Sequence, residues 1–485
     1  MSDQPSASNG AQSHDPDYPE KLLEFMRTRW RDTPLDTSPR AEAPQYAKRR
    51  AQLSAMFPGE TLVIPTGREK VRANDMFYPF RPASDFVWLT GEHDPEAVLV
   101  LRPDGDGHDV TLYMRPRSPR DTDEFFRDRT YGELWIGRRH TLAEKSAELG
   151  LATAPLDELP AALARCAPAG TRVLRGVDAT VDRAVLPYGD ADREAELGIA
   201  TGELRLVKDE WEVAQLQDAV DATVRGFEDV ARILPADRPI AERLIEGVFW
   251  LRARHDGNDV GYASIVGAGE HATTLHWVRN VGHTRPGELL LMDMGIENRH
   301  FYSADVTRTV PVSGRFSPLQ RQVYDIVFHA QQAGIDALAP GVAYDHVHQT
   351  CMRVLAEGLR DLGLLPVSVD EAMDPESVVY RRWTLHGFGH MLGLDVHDCA
   401  RARKENYREG NLAEGNVLTV EPGLYFQRED ELVPDELRGI GIRIEDNLVV
   451  TATGSANLSA GLPRTADDVE AWLAGQREAG PRLPS

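Results

Sequence analysis

The sequence predicts an α/β domain followed by an α+β domain. Two observations carry this. Between residues 43 and 206, short apolar runs alternate with helical patterns, the signature of strands interleaved with helices. Between 207 and 460, long amphipathic helices mix with paired apolar ribbons.

The first 42 residues are rich in Ser, Pro, Asp and Arg and have no long apolar period, so they read as a partly mobile arm with one helix, Glu20–Trp30. In the first block "TLVIPTG", "DFVWLTG", "AVLVLRP" and "VTLYMRP" are strand-like, while "RDTDEFFRDR" and "AEKSAELG" are helical. The second block opens on a long amphipathic helix, "LVKDEWEVAQLQDAVDATVRGFEDVARIL". Helices follow at Ala241–His255, at Pro318–Leu338 with Ser317 as cap and Pro318 at the first position, and at Asp345–Leu362. The strands are "ELLLMDMG", "HFYSADVTRTVPV", "NVLTVEPGLYF" and "GIRIEDNLVV", and residues 461–485 form a C-terminal tail with a short helix.

Composition narrows the function. A chain of 485 residues exceeds one ordinary domain, and its net charge of −23 excludes a polyanion partner: no nucleic acid and no anionic membrane face. Cys166, Cys351 and Cys399 are far apart without a CxxC, so neither a disulfide framework nor a thiolate cluster is expected. The N-terminus lacks a basic-then-apolar pattern and no window reaches the apolar length of a membrane span, so a cytoplasmic location is expected.

The chemistry lies in acids placed where acids are costly. Asp293 interrupts the apolar run "LLLMDMG", and the chain returns as a second strand carrying Asp305. A hairpin centred on residue 299 sets the two opposite each other, Cβ atoms roughly 5 Å apart. Glu421 and Glu445 repeat the arrangement about a centre at residue 433. Like charges paired on apolar strands need a proton or a cation between them. Between the two ribbons in sequence lies "LHGFGHMLGLDVHD", with His386, His390 and His397 among glycines and apolar side chains. Four carboxylates plus imidazole make a hard ligand set suited to Mn²⁺, Mg²⁺, Co²⁺ or Zn²⁺. Four negative charges call for two divalent ions, a pairing that supports hydrolysis.

Six motifs in this order resemble the pita-bread metallopeptidases, specifically the Xaa-Pro aminopeptidases (aminopeptidase P): "SIVGAGEHATTLHW", "LLLMDMG", "SADVTRT", "HGFGHMLGLDVHD", "LTVEPGLY" and "GIRIEDN". The first block resembles the creatinase-like N-terminal domain through "DFVWLTG", "PEAVLVL" and "ELWIGRR". The resemblance implies two divalent ions, manganese expected, held by Asp293, Asp305, His390, Glu421 and Glu445. It implies catalytic roles for His276, His397 and Glu421, with Glu421 as proton carrier. Tyr262, His386, Tyr425 and Arg443 are implied at the substrate site, and Trp135 at a neighbouring subunit's active site. The implied substrate is a peptide with an Xaa-Pro N-terminus, and the implied assembly a homodimer or homotetramer.

Rival readings are weighed against this one. His386 and His390 have the spacing of a helical zinc pair, but the acid of HExxH is missing and Gly387 and Gly389 disfavour a helix. "GFGHMLG" lacks the Lys-Ser/Thr of a phosphate loop. A prolidase, cutting only dipeptides, shares fold and ligands. A metal-free binding protein on the same fold is more distant, since all five ligands are present.

Overall fold

The computed structural model describes residues 17–166, 170–185 and 191–484. They divide into two compact units, 1–194 and 195–485. The division falls earlier than the expected 206, inside the uninterrupted helix Ala191–Leu204. That helix has no proline, so no sequence break marks the boundary.

Unit 1 is built on a five-stranded mixed sheet. In spatial order its strands are Ala152–Pro155, Gly107–Met114, Val98–Asp104, Thr61–Pro65 and Thr171–Val173. The three inner strands pair antiparallel and the two outer ones join in parallel. Leu62, Val63, Ile64, Leu99, Val100 and Leu101 are fully buried, so both faces are covered and these strands read as continuous apolar runs.

"DFVWLTG" departs from expectation. It forms the helix Ser84–Thr90, closed by Gly91 at φ 66°. Phe86, Val87, Trp88 and Leu89 are all buried. A short run apolar on every side cannot distinguish a buried strand from a buried helix.

The arm also departs from expectation where it is described. Its helix spans Glu20–Met26, and Leu23 packs with Phe125 and Phe126. Arg27 pairs with Asp123 at 2.7 Å and Arg40 with Glu148 at 2.7 Å. The Leu35 amide donates to Glu144 Oε1 at 2.7 Å. Residues 17–42 are therefore tied to the rest of unit 1; residues 1–16 lie outside the described residues.

Unit 2 carries the long helix Glu210–Ile233, opened by a reciprocal capping box between Asp209 and Glu212. Helices Glu242–Asp256 and Ala466–Ala479 pack against it. Leu473 and Val469 of the last helix are buried in the core, so the expected tail is largely a structural element. Helices Pro318–Asp336 and Tyr344–Asp361 pack together, the first capped by Ser317. These helices cover small sheets: Leu289–Met294 between Ile265–Ala268 and Val306–Pro311, and Val417–Val420, Asp446–Thr451 and Gly454–Asn457 in a second group. A two-stranded ribbon, Gly423–Tyr425 with Gly441–Arg443, extends the second group. Among the described residues no helix is long and apolar enough to cross a membrane.

Candidate metal centre

The Asp293 strand pairs antiparallel with Val306–Pro311, and Asp293 stands opposite Thr307. The hairpin is therefore centred on residue 300, one position later than expected, and the aspartates are not direct partners. The turn sets this centre. Asn298 N donates to Tyr302 O at 2.9 Å, and Asn298 Oδ1 accepts from the amides of His300 and Tyr302 at 3.0 and 3.1 Å. Asp305 lies two positions from Thr307, and a shift of two keeps a side chain on the same face. Both aspartates thus still point into one site.

Glu421 and Glu445 match their expected register. Val420 pairs with Asp446 and Gly423 with Arg443, two ladders sharing the centre at 433. The glutamates sit at the joint between them. Glu421 N donates to Phe388 O at 2.7 Å, and Glu445 N to Thr307 O at 3.1 Å. The second bond ties the glutamate ribbon to the aspartate hairpin, and Thr307 Oγ1 reinforces it by donating to Glu445 Oε2 at 2.6 Å.

The histidine segment runs along the outer edge of the Glu421 strand. Thr419 N donates to His390 O and Leu392 N to Val417 O, both at 2.9 Å. Phe388, Met391, Leu392 and Leu394 are buried beneath it, which accounts for the apolar character of the segment. A Cβ at Gly389 would collide with the Thr419 carbonyl, so only glycine allows this approach. His390 Nδ1 faces Met391 O at 3.1 Å, which leaves Nε2 to face the acids. That nitrogen lies 3.3 Å from Asp305 Oδ2 and 3.5 Å from Glu421 Oε1. The far end of the segment is anchored by buried Asp398, which meets Lys208 Nζ at 2.9 Å and also the Arg205 guanidinium.

The electrostatics are those of crowded anions. Burial and the charges of Asp305 and Glu421 hold the Glu445 carboxyl well above its usual range. Burial lifts Glu421 to about 7 and Asp293 to about 6, the latter despite Arg443. Burial works against a charged His390, but its bond to Asp305 and the charge of Glu421 carry it up to about 9. Asp305, His390 and Glu445 offer ligand atoms all within 4.8 Å of one another. Glu445 Oε1 is buried and meets no hydrogen-bond partner among the described residues. An orphaned buried oxygen on a carboxylate grouped with an imidazole and a further acid fits a divalent cation.

Around this centre runs a hydrogen-bonded chain. Tyr262 OH donates to Asp293 Oδ1 at 2.5 Å, and Arg443 Nη2 to Asp293 Oδ2 at 2.6 Å. Arg443 Nη1 donates to Tyr425 OH at 2.8 Å, and that hydroxyl lies 2.8 Å from His386 Nε2. His386 Nδ1 stops 3.6 Å from Glu421 Oε2, too far for a hydrogen bond. Burial and the Arg443 charge lower His386 to about 3. His397 is exposed, its ring 4.4 Å edge-on from that of His390. His276 is exposed too, within electrostatic range of both His386 and His397.

The structure thus gathers every expected site residue of unit 2. Trp135 lies in unit 1, about half exposed, with Nε1 donating to Phe126 O at 2.8 Å and the Arg129 guanidinium over its ring. Sequence reasoning missed Thr307 and Asn447. Asn447 Oδ1 accepts from Asp305 N at 3.1 Å. Both lie inside quoted motifs, next to ligands, but neutral side chains carry no metal signal of their own.

Comparison with known proteins agrees with this geometry. Residues 214–452 match metallopeptidase family M24, and residues 46–174 match the aminopeptidase P N-terminal domain. Xaa-Pro aminopeptidase 1 of Streptomyces coelicolor is 53% identical over 95% of this chain and 93% of its own length. Xaa-Pro aminopeptidase of Escherichia coli is 34% identical over 89% and 97%. Among solved structures, Escherichia coli aminopeptidase P with the inhibitor Pro-Leu superposes with a TM-score of 0.80 at 31% identity, covering 92% of this chain and all of that one (100%). Proline aminopeptidase P II from Yersinia pestis gives 0.79 at 33%, over 89% and 99%. The expected order of a creatinase-like α/β domain and a pita-bread catalytic domain holds, and the chain belongs to metallopeptidase family M24 and, within it, to the Xaa-Pro aminopeptidases.

Proposed function

We propose that this chain hydrolyses the first peptide bond of peptides with proline in second position, releasing the N-terminal amino acid. The observation that carries the reading is the convergence of Asp305, His390 and Glu445, with Glu421 3.5 Å from His390, Asp293 close enough for its charge to act on Glu445, and Glu445 Oε1 buried and unpartnered among the described residues. These five side chains would hold two divalent ions. The ions supply Lewis acidity and an activated water at neutral pH. Oxygen donors with a single imidazole favour manganese.

The other roles belong to this chain's own groups. Glu421 lies between His390 and His386, 3.5 and 3.6 Å away, where a carboxylate can take the water's proton and pass it to the departing proline nitrogen. That nitrogen needs it to leave as a neutral amine and not as an anion. His276 and His397, both exposed above the centre, donate to the scissile carbonyl as negative charge develops on it. His386, Tyr425 and Arg443 form one bonded wall that shapes the proline pocket, and Tyr262 holds Asp293 in place.

Three finer readings complete the proposal. Trp135 reaches the active site of a neighbouring copy in a homodimer or homotetramer; its support is that Leu134, Trp135 and Ile136 all project exposed from one turn. The protein works in the cytoplasm, in keeping with three free cysteines. Its substrates include long peptides as well as dipeptides. Elemental analysis of the purified protein, run beside cleavage of Xaa-Pro peptides of two to five residues, tests the whole reading. Two bound ions with cleavage at every length supports it. Cleavage of the dipeptide alone makes the protein a prolidase, and failure to bind metal after manganese loading ends the hydrolase reading.

A further inference from the structure

We infer that Glu242 is a positioning residue for His276: its carboxylate clamps both ends of the loop that presents this histidine. The inference rests on the proposed role of His276 at the substrate.

Glu242 opens the helix Glu242–Asp256 and is fully buried. Its Oε1 accepts from Ala268 N at 3.0 Å and lies 2.8 Å from His271 Nδ1. Its Oε2 accepts from Trp277 Nε1 at 2.9 Å and Gly282 N at 2.6 Å. All four partners belong to residues 268–282, the first at the loop's entry and the last at its exit. The Glu242 amide adds a fifth bond, to Gly282 O at 3.0 Å. The His271 ring stacks on Trp277 at 3.9 Å, so two of the four partners also brace each other.

A second clamp closes the base. Buried Asn280, at φ 50°, accepts from Val266 N at 3.0 Å and donates to Ser264 O at 2.9 Å. Between these fixed points Thr274, His276, Val278 and Arg279 are exposed. His276 is the immediate neighbour of Trp277, whose indole Glu242 holds. The imidazole therefore hangs from a main chain immobilised one residue away. None of the five proposed metal ligands bonds to Glu242, so its effect on the reaction runs through the loop.

Glu242→Gln keeps the volume but replaces one acceptor oxygen with an NH₂ group. Whichever way the amide turns, that group faces a backbone N–H that can only donate, Ala268 N on one side and Gly282 N on the other, so one side of the clamp opens. We expect kcat on an Xaa-Pro pentapeptide to fall roughly tenfold or more, as misplacement of a reacting group does. Bound metal is expected to stay at the wild-type ratio. The decisive measurement is a double-mutant cycle with His276→Ala. If Glu242 acts through His276, Glu242→Gln costs nothing further in that background. A kcat within twofold of wild type, or a full additional loss in the double variant, overturns the inference. Should His276→Ala itself retain wild-type kcat, the role of His276 falls first and this inference with it. If Glu242→Gln fails to fold, Trp277→Phe removes one clamp bond and keeps the stack. It is then expected to lower kcat with the same lack of additivity, and an unchanged kcat overturns the inference.

Discussion

Glu421 and Glu445 stand opposite each other where two short antiparallel ladders meet, and neither belongs to either ladder. Each main chain instead finds a third partner: Glu421 N bonds the histidine segment and Glu445 N bonds the aspartate hairpin. The joint brings three pieces of chain to one point, and the acids are the residues placed there.

Removing either Asp305 or Glu445, two of the three proposed ligands whose donor atoms lie within 4.8 Å of one another, is therefore expected to be total in effect. Asp305→Ala and Glu445→Ala should lose essentially all turnover together with bound metal, read by elemental analysis and peptide cleavage. More than a few per cent of wild-type turnover in either variant would contradict the assignment.

Tyr425→Phe removes the hydroxyl that joins Arg443 to His386. With one partner of a buried network gone, kcat/KM on proline peptides should fall about tenfold. His386→Ala should raise KM as well as lower kcat. Unchanged kinetics in both variants would place this wall outside the substrate site.

Metal should stabilise the fold. Four crowded carboxylates, three of them buried and one with an orphaned oxygen, are unfavourable neighbours unless a cation joins them, so ions bind the folded chain far better than the unfolded one. At one hundred times Kd this linkage is worth about 2.7 kcal/mol. Dialysis against a chelator should lower Tm, manganese should restore it, and Asp305→Ala should abolish the response.

Asp398→Ala leaves Lys208 buried without its carboxylate and frees the end of the histidine segment. Breaking a buried pair from one side costs about 3–5 kcal/mol. Urea denaturation should show a loss on that scale, with kcat reduced because His397 is the adjacent residue.

Unit 1 has its own pH dependence. Burial opposes ionisation of Glu144, but the amides of Thr141 and Leu35 and the Arg117 guanidinium outweigh it and hold the carboxyl at about 2, below its ordinary 4.5. The unfolded chain then takes up the proton first as pH falls. The stabilisation is complete above about 4.5 and disappears between there and about 2. Glu144→Gln should lower the urea midpoint of unit 1 at pH 7, and the gap from wild type should narrow at pH 3. A gap independent of pH would contradict this.

The acids were legible because a carboxylate in an apolar strand needs an explanation, and two matched ribbons gave the same one. The glutamate register was legible because its strands continue past the acids on both sides. The aspartate register slipped because Asn298, a neutral side chain bonding its own turn, sets the centre. "DFVWLTG" was misread because burial on every side erases periodicity. Glu242 and Asp398 were invisible as anchors: Asp398 finds Lys208 across 190 residues of sequence, and single-sequence patterns do not report such pairings.

The five proposed ligands run from Asp293 to Glu445 in sequence, and the ribbon that supplies the last also supports the first, through Arg443. During synthesis the ligand set stays incomplete until residue 445 has left the ribosome. Ion capture is then a late step of biogenesis, and a nascent chain stalled earlier holds several acids with no shared counterion to hold them together.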